Sequence, residues 1–128
     1  MPTVLVIDDE KDICDCFEDL FTLGDPNLKV KILSADNGPD GLQLFENHKP
    51  DIVFVDLQLQ AKMNGTEVIK RIKESGSTAK VVLVSGFLDK NDERIQSIGA
   101  DSYLEKPATP DEMVRLVKKL LKEKEGAR

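Results

Sequence analysis

Six polar residues stand at or just behind the ends of short apolar runs. Asp8, Asp9 and Glu10 follow Val4-Leu5-Val6-Ile7, and Asp56 follows Ile52-Val53-Phe54-Val55. Ser85 follows Val81-Val82-Leu83-Val84, and Lys106 lies just beyond Ser102-Tyr103-Leu104. Gathered in one place, they would form a site of crowded carboxylates, a hydroxyl and an ammonium. Two carboxylates about 5 Å apart repel by roughly 3 kcal/mol at an effective dielectric constant near 20. A raised pKa on one member or a bound cation relieves that repulsion. Oxygen ligands with no nearby His or Cys select a hard ion, and Mg²⁺ suits a few carboxylates plus water and a phosphate oxygen. A carboxylate, Mg²⁺ and a lysine together suit phosphoryl transfer. The two cations neutralise charge on the equatorial oxygens while one Asp oxygen attacks in line. Singly, each residue has a plainer role: Asp9 or Glu10 facing a helix N-terminus, Asp56 in a loop, Ser85 in a turn, Lys106 in solvent. Only the combination points to chemistry.

A fold must bring these positions together. The three inner apolar runs are unbroken and rich in β-branched residues, as expected for parallel strands covered on both faces. Val30-Lys31-Ile32-Leu33 is more mixed and Ser102-Tyr103-Leu104 is short, so both read as outer strands. Helical spacing lies between the strands. Ile13, Phe17, Leu20 and Phe21 form a first helix stopped by Gly24-Asp25-Pro26. A second starts at Pro39, in the first helical position, and buries Leu42 and Phe45. Val68, Ile69 and Ile72 mark a third that ends near Gly76, and a weaker fourth runs from about Lys90 to Ile98 and closes at Gly99. The fifth has Thr109 as N-cap, Pro110 at N1 and Glu112 completing a capping box. Met113, Leu116, Val117, Leu120 and Leu121 form its apolar face. Five alternations of strand and helix predict an α/β fold, a doubly wound five-stranded parallel sheet of order 2-1-3-4-5 with five helices on its two faces. In such a sheet the carboxyl ends of the strands line one crevice, where these polar residues converge.

Composition sets bounds. The 128 residues, 40% of them apolar, suit one domain with an aliphatic core, since the chain has five Phe, one Tyr and no Trp. The expected organisation is a single domain over 1–128, with a core of about 4–121 and a charged helical extension over 122–128. A net charge of −6 argues against nucleic-acid binding through a broad electrostatic surface. Cys14 and Cys16, the only cysteines, would point about 200° apart on a helix. They read as reduced thiols in a reducing compartment. No apolar run approaches the roughly 20 residues that span a bilayer, and the first residues lack the features of a signal peptide. A cytoplasmic protein with no membrane contact is the expectation.

The sequence resembles the receiver domains of two-component response regulators. The segments that carry the resemblance are Val-Leu-Val-Ile-Asp-Asp-Glu (4–10), Asp-Ile-Val-Phe-Val-Asp-Leu (51–57) and Met-Asn-Gly-Thr-Glu-Val-Ile-Lys-Arg-Ile-Lys (63–73). Val-Val-Leu-Val-Ser-Gly (81–86) and Gly-Ala-Asp-Ser-Tyr-Leu-Glu-Lys-Pro (99–107) complete the set, in order, from Val4 to about Leu121. The resemblance implies that Asp56 is the phosphoacceptor, supplied by a phosphohistidine on a sensor histidine kinase or histidine phosphotransfer protein. It implies Mg²⁺ held by Asp9 directly, by Asp8 mostly through water, by Asp56 and by the backbone carbonyl of Gln58. Lys106 would pair with the phosphoryl oxygens, with Pro107 cis behind it. Ser85 would swing toward the phosphoryl group and Tyr103 would follow inward. That motion would reshape the face of helix four, strand five and helix five for a downstream protein or effector domain, or for a phosphorylation-dependent homodimer. The resemblance implies a switch rather than a turnover enzyme, with Mg²⁺-dependent self-phosphorylation and autodephosphorylation.

Departures from the family pattern bear on the same site. Gly65 comes nine positions after Asp56 where the family's glycine usually comes eight on, and no proline intervenes. One extra residue without a fixed φ predicts a longer, more mobile loop. Gly86 stands where a small residue, often alanine, is usual; it leaves room for the phosphoryl group and loosens the backbone. Gln58 and Phe87 flank the acceptor, and Phe87 is expected to shield the acyl phosphate partly from water. His48, the only histidine, reads as a solvated surface residue. Two other functions compete. A Mg²⁺-dependent hydrolase working through an aspartyl phosphate would commonly carry a second Asp where Gln58 stands, and a cap domain. A receiver-like scaffold without phosphorylation would have no need of the acidic pair, Asp56, Ser85 and Lys106.

Overall fold

The computed structural model describes residues 2–9, 30–57, 59, 63–86, 93–106 and 110–126. Among them are five strands: β1 (Thr3–Ile7), β2 (Lys31–Ala35), β3 (Ile52–Asp56), β4 (Lys80–Ser85) and β5 (Ser102–Glu105). Four helices alternate with them: α1 (Gly38–His48), α2 (Gly65–Glu74), α3 (Glu93–Ile98) and α4 (Pro110–Gly126). These are the second to fifth helices of the sequence pattern. The predicted first helix, with Cys14 and Cys16, lies outside the described residues, as do Glu10, Gln58, Phe87, Pro107 and Thr109.

The sheet has the expected order β2-β1-β3-β4-β5, and every pairing is parallel. Alternation along the strands sends side chains to opposite faces. Val4, Val6, Phe54, Val82 and Val84 join Met113, Val117 and Leu120 of α4 in one buried cluster. Leu5, Ile7, Val53, Val55 and Leu83 join Phe45 of α1 and Val68, Ile69 and Ile72 of α2 in the other. Both faces are therefore covered, which is why the inner strands are apolar without a break.

Three local expectations are corrected. α1 begins at Gly38, so Pro39 is the second helical residue, because the Asn37 side chain caps the helix by accepting the Asp40 N–H at 2.8 Å. Leu42 is half-buried rather than buried, and Gly41 takes the buried place against Ile7. β2 runs on to Ala35, because its ladder with β1 continues to Ile7 opposite Ala35. The starts of the predicted fourth helix near Lys90 and of the fifth at Thr109 lie outside the described residues. Gly76 and Gly99 follow α2 and α3 with φ of +78° and +80°, the left-handed conformation that glycine adopts without penalty. His48 is exposed. No described helix is long and apolar enough to cross a membrane.

Candidate functional site

The carboxyl end of the sheet places the acidic residues. Asp8 follows β1 and continues its ladder, its N–H donating to the Ala35 carbonyl at 3.0 Å. Asp56 is the last residue of β3, opposite Val84 in β4, and Ser85 is the last residue of β4. The Lys106 N–H donates to the Ser85 carbonyl at 2.8 Å, which holds the start of that segment to β4 after β5 has ended. Three adjoining strands thus bring residues almost 50 positions apart side by side, as parallel pairing requires.

The carboxylates converge. Asp8, Asp9 and Asp56 offer oxygens that all lie within 4.8 Å of one another. Asp8 and Asp56 are buried, at 2% and 4% exposure, while Asp9 is exposed. The Lys106 Nζ lies 3.1 Å from Asp8 Oδ2 and 3.3 Å from Asp56 Oδ2, so one ammonium bridges the two buried carboxylates. Burial works against the charge on Lys106. The hydrogen bond and charge of Asp8, and then those of Asp56, outweigh it and hold the ammonium above its ordinary pKa. Every donor in the acidic cluster is a carboxylate oxygen, a set that fits a hard divalent cation such as Mg²⁺. Ser85 is fully buried at the neighbouring strand end. Tyr103 sits half-buried in β5, packed against the cluster on the α1 and α2 face. A Cβ at Gly86 would meet nothing within 4 Å, so crowding does not require glycine there.

Residues 4–118 match the sequence profile of the response regulator receiver domain. The chain belongs to the response regulator receiver family. Receiver domains of this family are signalling switches of two-component systems. The alkaline phosphatase synthesis transcriptional regulatory protein PhoP of Bacillus subtilis is 30% identical, over 97% of this chain and 50% of that protein. The polar-differentiation response regulator DivK of Brucella anthropi is 28% identical, over 93% of this chain and 95% of that protein. The chain spans about half the length of several curated relatives it matches. A CheY-like receiver domain from Methanospirillum hungatei superposes with a TM-score of 0.88 over 100% of this chain and 99% of that one, at 23% identity. That likeness establishes the shared flavodoxin-like fold.

The structure thus brings together Asp8, Asp9, Asp56 and Lys106, and sets Ser85 at the next strand end. Two residues carry more than their sequence signal suggested. Gly65 served there only as a spacing marker, yet it touches the acceptor's backbone. Asp51, just before β3, accepts the Thr3 N–H and the Lys124 ammonium, both at 2.9 Å, at the opposite end of the sheet. Neither contact leaves a trace in local periodicity.

Proposed function

We propose that Asp56 accepts a phosphoryl group from a phosphohistidine on a sensor histidine kinase or phosphotransfer protein, with Mg²⁺ held by the acidic cluster. One observation carries this reading: Asp56 is a buried carboxylate in reach of both Lys106 and the Asp8–Asp9 pair. An Asp56 carboxylate oxygen attacks phosphorus as the P–N bond to the donor imidazole breaks, leaving an acyl phosphate on Asp56 and the imidazole as leaving group. Asp8 and Asp9 would hold Mg²⁺, which supplies charge neutralisation at the phosphoryl oxygens. Lys106, already an ammonium between Asp8 and Asp56, would pair with the new phosphate. The Gln58 carbonyl as a further metal ligand and a cis Pro107 belong to the same reading.

Ser85 and Tyr103 would carry the change outward. A phosphate on Asp56 offers the buried Ser85 hydroxyl a charged acceptor, and Tyr103 would move inward on β5. The surface of α3, β5 and α4 then differs between the two states and is the face presented to a downstream partner, to an effector domain or to a second copy of the chain. The chain acts in this reading as one cytoplasmic receiver unit, promoting its own phosphorylation and slow dephosphorylation and processing no separate substrate.

The test is incubation with Mg²⁺ and acetyl phosphate, followed by mass spectrometry. An acid-stable, base-labile phosphate adduct that is lost in Asp56→Asn is expected. No adduct on the wild type, or one that persists in Asp56→Asn, overturns the reading.

A further inference from the structure

Gly65 opens α2 directly against the acceptor's main chain. A Cβ built on it would fall on the Asp56 carbonyl oxygen, 2.8 Å from Leu57 Cα and 2.9 Å from the Asp56 carbonyl carbon. All three are backbone atoms, and no rotamer change can move them aside. The other crowded glycines differ. A Cβ at Gly41 meets the Ile7 side chain at 2.5 Å, and one at Gly38 meets the Met63 and Val68 side chains at 2.9 Å. Nor does backbone conformation demand glycine at 65, since the positive-φ glycines among the described residues are Gly76 and Gly99. At the first position of a helix, alanine would be favoured over glycine but for this contact.

The peptide after Asp56 is held from two sides. The Leu57 N–H donates to the Val84 carbonyl of β4 at 2.8 Å. On the other side stands the start of α2, where the Asn64 side chain accepts the Glu67 N–H at 2.9 Å. Buried Val68, Ile69 and Ile72 seat that helix on the sheet. Gly65 comes one position later than in the family pattern, and α2 nevertheless starts within contact of the acceptor's main chain.

We infer that Gly65 is a positioning residue: its lack of a side chain lets α2 set where Asp56 stands relative to Asp8, Asp9 and Lys106. Its labelling readout rests on Asp56 being the phosphoacceptor, and its Mg²⁺ readout only on the acidic cluster. Asp8 and Asp9 come from the end of β1 and Lys106 from beyond β5, so a displacement of the Asp56 peptide is not shared by its partners. Fitting a methyl group would move that peptide by roughly 1 Å, and a misplacement of that size lowers rates on the order of 100-fold.

The experiment compares wild type, Gly65→Ala and Gly41→Ala for the rate of acetyl phosphate labelling and for Mg²⁺ affinity by calorimetry, each variant checked for cooperative unfolding. Gly65→Ala is expected to label at least tenfold more slowly and to bind Mg²⁺ more weakly. Gly41→Ala, which crowds the Ile7 side chain and no backbone atom, should slow labelling less than Gly65→Ala does, and an equal or larger loss overturns the inference. Labelling and Mg²⁺ affinity of folded Gly65→Ala within threefold of wild type overturn the inference. If the wild type takes no label, the acceptor reading falls and Mg²⁺ affinity alone decides the positioning role: a tenfold loss in Gly65→Ala upholds it and no loss overturns it. If Gly65→Ala does not fold, Asn64→Gly frees the helix start without adding an atom. Labelling slowed several-fold then supports the role, and unchanged labelling overturns it.

Discussion

Replacing Lys106 with methionine removes an ammonium that bridges Asp8 and Asp56 and keeps a side chain of similar length. The two carboxylates are 2% and 4% exposed and their oxygens lie within 4.8 Å, so their mutual repulsion is about 3 kcal/mol at an effective dielectric constant of 20. Breaking a buried pair by deleting one partner destabilises by about 3–5 kcal/mol. An escape route caps that loss, because the pair can bind a proton in place of the ammonium. Protonating an ordinary aspartate at pH 7 costs about 4 kcal/mol, and at pH 5 about 1.5 kcal/mol. Lys106→Met should therefore lose about 3–4 kcal/mol at pH 7 and about 1.5 kcal/mol at pH 5. The sign follows from linkage: the folded variant binds a proton that its unfolded chain does not, so acid favours its folded state. In the wild type, the raised pKa of Lys106 keeps the bridge charged throughout this range. Urea unfolding in a chelator at both pH values reads the difference directly. A loss below 1 kcal/mol at pH 7, or equal losses at the two pH values, would refute the idea that Lys106 compensates the buried pair.

The Asp51–Lys124 pair at the other end of the sheet should show a coupling energy of about 1 kcal/mol in a double-mutant cycle of Asp51→Asn and Lys124→Met, since both side chains are partly exposed. Burial pushes the Asp51 carboxyl up. The hydrogen bonds from Lys124 and the Thr3 N–H, with the charge of Lys124, outweigh it and hold the group below its ordinary value. The coupling is therefore fully present above about pH 4 and fades as pH falls through the lower folded-state value, which unfolding at stepwise lower pH will follow. Phe54→Ala, at a ring 1% exposed in the central strand, should destabilise by about 3–5 kcal/mol in denaturant titration. A smaller loss would mean that α4 closes over the gap.

Much of the fold was legible because its signals are local. Unbroken runs such as Ile52-Val53-Phe54-Val55 announce strands covered on both faces, and Val68, Ile69 and Ile72 repeat at the helical period. The errors arose where a contact competed with local preference. Pro39 is favoured at a first helical position, but the Asn37 cap set the start one residue earlier. Leu42 fits the apolar face of α1 by spacing, but Gly41 lies closest to Ile7 and leaves Leu42 half-covered. At the site, Asp8, Asp56 and Ser85 could be picked out because each ends or directly follows a strand.

The sequence by itself determined the alternation of strand and helix, and it put carboxylates, a hydroxyl and a lysine at the ends of the strands. The alternation follows from short unbroken apolar runs and a 3.6-residue helical spacing, which act over a few neighbours. Tertiary structure decided what the residues do to one another. Only the parallel register of β1, β3 and β4 brings Asp8 and Asp56 close enough to share the Lys106 ammonium. Only the seating of α2 on the sheet presses Gly65 against Asp56, and only the length of α4 carries Lys124 back to Asp51. Contacts between residues tens of positions apart depend on distances that local patterning does not encode.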